Sequence, residues 1–404
     1  MSVFGHLLDQ LDLQAHVAEI ESFLSRHKPL YIEGDQGLHY RYIKALDALE
    51  FPAPPKTTGF GVIRAHLKKQ GVLSFEQIFE LIKVVRYFRT LANKKFEGLI
   101  GEWMATIVVP EGFTEVERHF DEKGHFKEEL DDALYAIAER LKAQKGNVGA
   151  QLKRLLYADN IRPYLVDTQV HYINDEECLL LRSGFNAVLK GSVVGRTGSG
   201  FFYVAPDALL KTKEQIRALT QERDALYYEY AKRFSAQLGG LLPFIGFIDK
   251  EFDRFDHYQA RVLFALARGL HILAAQKSDA IVLRDFEHPA LANPKPVSLD
   301  FKVAVLMITG VNAGGKTMLL KAILGATLMA KYLLPMKLNP HRSSIGTFKQ
   351  IEAIIDDPQN VRNDIYTFAG RMQEFSRLFE ARSALVGVDE IELGTDSDEA
   401  ASLF

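Results

Sequence analysis

Apolar residues recur at three- and four-residue intervals through most of the first 162 positions, which is the spacing of a helix face. One such stripe is formed by Leu130, Leu134, Ile137 and Leu141, in a heavily charged segment that runs from about 115 to 156. The prolines at 52–55 interrupt the pattern because proline cannot continue a helix. The sequence therefore predicts a helical core domain over residues 1–162.

A different pattern follows in the middle of the chain. Between 163 and 206, short β-favouring runs alternate with turn residues such as Asn174 and Asp175, which predicts a small β-rich insert. Helical spacing returns from about 207 to 237, and Gly239, Gly240 and Pro243 are expected to end that helix. With a second helix expected over about 252–276, residues 207–279 would form a long helix pair, or lever.

From residue 280 the apolar runs become short enough for buried parallel strands. We expect strands at 281–283, 304–308 and 384–388, with helices over about 316–332 and 364–381. The fold class expected is a multi-domain protein, with a mainly helical core and a β-rich insert followed by an α/β domain over 280–404.

Length and composition narrow the class of protein. A chain of 404 residues is expected to form two or three domains, and its single cysteine, Cys178, excludes an intrachain disulfide framework. There is no signal-peptide pattern and no apolar stretch long enough to span a membrane, so a cytoplasmic location is expected. The net charge of −3 gives no overall support to nucleic-acid binding, which would need local positive charge such as Lys68-Lys69, Lys94-Lys95 or Arg196.

The strongest chemical signal is the motif G-x-x-x-x-G-K-T at 310–317, placed between a predicted strand and a predicted helix. Its glycines allow successive backbone N–H groups to point at phosphate oxygens. Lys316 supplies positive charge to the β- and γ-phosphates, and the Thr317 hydroxyl is a ligand for Mg²⁺. The pattern predicts an ATP site with Mg²⁺ as the cofactor, whose binding residues are Gly310, Val311, Asn312, Ala313, Gly314, Gly315, Lys316, Thr317 and Met318.

A pair of acids follows the predicted strand at 384–388. Asp389 is placed to hold Mg²⁺, directly or through water, and Glu390 to orient and polarise the attacking water. We therefore expect ATP hydrolysis, with Glu390 and Lys316 as the catalytic residues.

These residues resemble the MutS family of ATPases, and more closely its bacterial branch that lacks mismatch recognition and usually carries a C-terminal Smr nuclease domain. The resemblance is strong after residue 280 and weaker before it. Its pieces are, in order, the segments 287–291, 308–317, 367–368 with Met372, 389–396 and 399–403.

The resemblance implies an ABC-type ATPase in which two subunits sandwich the nucleotide. Asn312, Lys316, Thr317, Asp389 and Glu390 match nucleotide-site positions, Gln359 resembles a residue near the Mg²⁺, and residues 394–396 match a loop that faces the partner subunit. It also implies a homodimeric, ATP-driven clamp that binds branched DNA by shape and suppresses homologous recombination.

The sequence departs from the family pattern in four respects. Tyr366 replaces the usual serine before Thr-Phe, and Glu392 replaces a glycine after the acidic pair. No mismatch-reading domain precedes the core, so mismatch recognition is disfavoured. The chain ends at Phe404, before the Smr domain, so we expect a fragment with an incomplete ATPase domain and no endonuclease activity from that domain.

Two other functions stay open from the sequence. One is a ribosome-associated ATPase, with rRNA as a partner, and the other is a dimerising scaffold in which nucleotide is only a switch. Residues 11–13 form a Leu-Asp-Leu motif, and motifs like it are associated in this branch with nuclease activity, mainly in the Smr domain. We prefer the simpler interpretation that Asp12 is an acid in the first turns of an amphipathic helix.

Overall fold

The structure is a computed structural model that describes residues 3–311, 315–355 and 383–389. It is helix-rich with small sheets, which confirms a mixed, multi-domain protein, and its contacts divide it into two compact units. Within the described ranges, no helix has both the length and the apolar character that a membrane span needs.

The first unit combines Met1–Phe60, Lys83–Val108 and Gly246–Phe404. Its described residues contain all or most of seven helices and five strands. The helices are α1 (Val3–Gln10), α2 (Gln14–Ser22), α3 (Gln36–Asp47), α5 (Phe75–Asn93), α6 (Gly98–Ala105), α10 (Leu242–Arg268) and α11 (Lys316–Lys331). The strands are β5 (Ile281–Phe286), β6 (Val297–Phe301), β7 (Ser344–Ile345), β8 (Gln350–Ile354) and β9 (Ala384–Val388).

The second unit combines Gly61–Ile82 and Val109–Ile245. Its helices are α4 (Gly61–Lys68), α7 (Glu111–Glu117), α8 (Asp132–Leu156) and α9 (Leu210–Gly239). Between α8 and α9 lies an antiparallel sheet in the order β1-β2-β4-β3, within the range predicted to be β-rich. Its strands are β1 (His171–Ile173), β2 (Glu176–Leu181), β3 (Gly191–Arg196) and β4 (Phe202–Pro206). Both units are discontinuous in sequence, whereas the predicted domains are consecutive segments.

Helix α10 has different ends from those predicted. It begins at Leu242, so Pro243 lies in its first turn, where the missing N–H of proline costs nothing. Gly269 follows its last residue with φ of 63°, and the Leu270 N–H donates back to the Ala265 carbonyl at 2.9 Å. A left-handed glycine of this kind commonly ends a helix, and the predicted continuation to 276 is wrong.

The strand predicted at 281–283 is present within β5, but its predicted parallel pairing is wrong, and the strand predicted at 304–308 is absent from the described residues. Strand β5 pairs antiparallel with β6 on one side and with β7 on the other. Residues 304–308 form no strand, and Val305 and Met307 are 78% and 81% exposed. An apolar run becomes a strand only where a neighbour pairs with its backbone, and within the described ranges none pairs with this one. The parallel pair that is described is β8 with β9.

Helix α11 lies at the centre of the first unit. Every residue from Ala322 to Ala330 is buried, as expected of a helix that is apolar on all sides. The surrounding cluster includes apolar residues of α1, α2, β5, β8 and β9. This enclosure fixes the helix that follows the phosphate-loop motif.

Arg261 of α10 is fully buried beside the last turn of α11. Its guanidinium donates to the carbonyls of Leu333 (3.1 Å), Tyr332 (3.3 Å), Leu30 (2.7 Å) and His257 (2.9 Å). Burial lowers the pKa of Arg261 to about 9, which leaves it charged at neutral pH. A positive charge at the C-terminal end of α11 is favourable because carbonyl groups leave that end of a helix negative.

We expect Arg261→Met to reduce the free energy of unfolding by about 3 kcal/mol, because it leaves buried carbonyls without donors. The control is Arg268→Met on the same helix, which removes an exposed ion pair with Glu19 and should cost less than about 1 kcal/mol. Urea denaturation followed by circular dichroism measures both. Equal losses in the two variants would contradict a special role for Arg261.

Candidate phosphate-binding site

The phosphate-loop motif leads directly into helix α11. Gly315 caps the helix with φ of 84° and ψ of 19°, a left-handed conformation that suits glycine, and Lys316 and Thr317 are the first two helical residues. A Cβ atom at Gly310 would lie 3.9 Å from Cγ of Lys316, so the two ends of the motif are close together. The first turn of the helix therefore presents its backbone N–H groups where an anion can bind.

The structure brings together the two residues that the sequence predicts as Mg²⁺ ligands. The Thr317 hydroxyl donates a hydrogen bond of 2.6 Å to Oδ2 of Asp389, although the residues are 72 positions apart. Asp389 directly follows β9, and its N–H donates to the Ile354 carbonyl of β8 at 2.9 Å. The carboxylate is thus held at the end of a parallel strand, beside the start of α11.

The close approach of β9 to α11 depends on Gly387. A Cβ atom there would lie 2.5 Å from Cδ1 of Leu324 and 2.9 Å from Cδ1 of Leu320, both closer than real contacts allow. Because Gly387 has no side chain, α11 packs directly on the strand. Asp389, two residues after Gly387, is then close enough to contact Thr317. The sequence signal was a glycine inside an apolar strand, which often marks such an approach, but its partner helix was not predicted.

The donor atoms at this point are a hydroxyl and a carboxylate oxygen, which are the ligands that Mg²⁺ prefers. In the described part of the chain, no group of three His, Cys, Asp or Glu side chains could hold a metal ion. A cation bound between Thr317 and Asp389 would therefore need further oxygen ligands, such as phosphate and water. The residues present fit Mg²⁺ bound together with a nucleotide.

Two further predicted binding residues are described. Val311, the second residue of the motif, is exposed, and Met318 is half-buried in the first turn of α11. Several others lie outside the described residues, so their roles stay predictions; these are Asn312, Ala313, Gly314, Gln359 and Glu390, with Tyr366 and Glu392.

The chain is similar over nearly its whole length to two curated proteins named Endonuclease MutS2, from two strains of Helicobacter pylori. They are 39% and 40% identical over 403 residues, which cover 98% of this chain and 53% of each relative. A protein of the same name from Maridesulfovibrio salexigens is 26% identical over 383 residues, with 86% of this chain and 48% of the relative covered. The chain spans about half the length of these relatives. No protein-family model matches it.

We expect Gly387→Ala to lower the free energy of unfolding by about 1–3 kcal/mol, because the added methyl group overlaps Leu324. Gly149→Ala is the matched control: it lies in α8 with open space around its Cα and should be neutral or stabilising by up to about 1 kcal/mol. Thermal and urea denaturation measure both. A neutral Gly387→Ala would show that α11 and β9 are not in tight contact.

Proposed function

The chain is a MutS2-type protein over the region that it shares with its relatives, and on that premise we propose that it binds ATP with Mg²⁺ at the start of α11 and hydrolyses the ATP. The observation that supports this most is the 2.6 Å hydrogen bond between Thr317 and Asp389. It joins the last residue of the phosphate-loop motif to an acid at a strand end, which is the pair that holds Mg²⁺ in P-loop nucleotide hydrolases and which a chance glycine-rich turn would not be expected to have.

Each residue has a distinct part in the proposed site. The N–H groups of the loop and of the first turn of α11 bind phosphate oxygens, and the Lys316 ammonium binds the β- and γ-phosphates. Thr317 and Asp389 hold the cation, with Gln359 near it. Mg²⁺, when bound, neutralises charge that develops on the phosphates during transfer. Glu390, next to Asp389, orients the attacking water and accepts its proton.

We expect Thr317→Val to reduce Mg²⁺-dependent ATP hydrolysis by about 100-fold or more, because it removes a cation ligand and the partner of Asp389. Thr327→Val is the control: it removes a hydroxyl from the same helix, where that group donates to the Ile323 carbonyl at 2.8 Å, and should keep activity within about threefold. Steady-state phosphate release measures both. Comparable activity of the two variants would exclude the proposed site.

We also propose that nucleotide binding drives a homodimeric clamp that binds branched DNA by its shape and limits homologous recombination. The relatives are named as endonucleases, and DNA is the partner that this name suggests. Local charge supports the proposal. Residues 140–217, all in the second unit, carry twelve basic and seven acidic residues, against a net charge of −3 for the whole chain.

Most of this positive charge is available to solvent. Of the twelve basic residues, Lys213 is half-buried and the others are exposed. They lie on and just after α8, on the sheet and its loops, and on the first turns of α9, and include Lys142, Lys145, Lys153, Arg154, Lys190, Arg196, Lys211 and Arg217. Backbone recognition of DNA needs such cations and no sequence-reading helix.

We expect a triple variant with glutamine at Lys145, Lys153 and Arg154 to bind four-way-junction DNA more weakly, with the slope of log K against log salt reduced by about 2–3. The control neutralises three exposed lysines elsewhere, Lys44, Lys123 and Lys277, and should keep the slope. Fluorescence anisotropy between about 50 and 200 mM salt gives both slopes. Equal changes in the two variants would reject this surface, and a flat salt dependence of the unmodified chain would reject DNA binding.

A further inference from the structure

Asp12 lies at a tight turn between the first two helices. Its φ of 54° is in the left-handed region, which aspartate tolerates better than most residues. Its neighbours Leu11 and Leu13 are completely buried in the cluster around α11. The Asp12 N–H donates to the Asp9 carbonyl at 3.1 Å, and that of Leu13 to the Leu8 carbonyl at 2.8 Å. The turn therefore holds the Asp12 side chain in one place.

The partner of Asp12 belongs to the helix that follows the phosphate loop. Nζ of Lys321 donates to Oδ2 of Asp12 at 2.7 Å. The Lys321 side chain is only 16% exposed and that of Asp12 is 44% exposed, so the pair is partly shielded from water. Such pairs are screened less by salt than exposed ones. The ion pair joins segments that are 309 residues apart.

Lys321 lies one helical turn after Thr317. Residues four apart lie on the same face of a helix, so the pair holds the turn that directly follows the candidate Mg²⁺ ligand. One turn further along α11, His288 and Leu13 pack close to Gly325 on the same face of the helix. A Cβ atom there would lie 3.3 Å from Nε2 of His288 and 3.7 Å from Cδ1 of Leu13. Two successive turns of α11 are thus in contact with the segment around Asp12.

His288 does not compete with Lys321 for the negative charge of Asp12. It is buried, and burial lowers the pKa of His288 to about 4, so it is neutral at pH 7. Its Nδ1 accepts from the Ala290 N–H at 3.3 Å. Lys321, and not His288, therefore supplies the positive charge that balances Asp12 at this point.

We propose that Asp12 is a positioning residue for the nucleotide site. By binding Lys321, it holds the first turns of α11 against the N-terminal helices and so keeps Thr317 within reach of Asp389. The role of the pair in ATP turnover rests on the proposed function, whereas the positioning itself is a property of the chain without nucleotide. The Leu-Asp-Leu motif then serves the phosphate-loop helix, with both leucines in its core and the acid in an ion pair with it.

Amide hydrogen exchange of the full chain without nucleotide tests the positioning. Asp12→Asn keeps a residue that tolerates a left-handed φ, and Lys321→Gln removes the pair from the other side. We expect each to speed exchange of the amides of residues 319–323 about fivefold, and the double variant to exchange no faster than either one. Glu19→Gln, which breaks the exposed pair of α2 with Arg268, is the control and should leave these amides unchanged.

Unchanged exchange at 319–323 in Asp12→Asn would overturn the proposal. Equally faster amide exchange throughout the first unit would also overturn the proposal, because it would show a general loss of stability.

Steady-state kinetics tests the connection to the nucleotide site. In Asp12→Asn we expect kcat for ATP to fall about tenfold with KM within about twofold, because the loss is of alignment and not of binding groups. Faster exchange with an unchanged kcat would overturn the connection to catalysis. If the unmodified chain does not hydrolyse ATP, the proposed function fails, while the exchange result still decides whether Asp12 positions the helix.

Discussion

Helix α11 is buried on every side over nine consecutive residues. Each neighbour that packs against such a helix must have a shape complementary to it. Strand β9 approaches it where Gly387 has no side chain, and His288 approaches where Gly325 has none. These contacts fix the helix along its length, and its first turn is fixed with them. The hydrogen bond between Thr317 and Asp389 is therefore supported by packing one and two turns further along the helix.

The two ends of α11 have complementary electrostatic surroundings. Its N-terminal end, where N–H groups leave partial positive charge, carries the motif suited to phosphate. Its C-terminal end, where carbonyl groups leave partial negative charge, is met by the buried guanidinium of Arg261. Asp12 balances Lys321 between them. Charge and packing therefore favour the same placement of the helix.

The sequence predicts those features that depend on neighbours along the chain. The start of α11, the strand before Asp389 and the helix of α9 follow from local motifs and spacing, and the structure has them close to the expected places. The pairing of β5 with β7, and the lack of a strand partner for 304–308 among the described residues, depend on segments that are distant in sequence. The same holds for the contact of Lys321 with Asp12, since no local pattern shows which of many acids a lysine will meet.

The absence of a side chain at Gly387 also has a consequence for how sequences of this kind can diverge. A larger residue there fits only if Leu320 or Leu324 becomes smaller at the same time, because the space is shared between strand and helix. The same argument couples Gly325 to His288. Substitutions at these positions should therefore occur in compensating pairs among related proteins, and each glycine should change only together with the side chain that occupies its space.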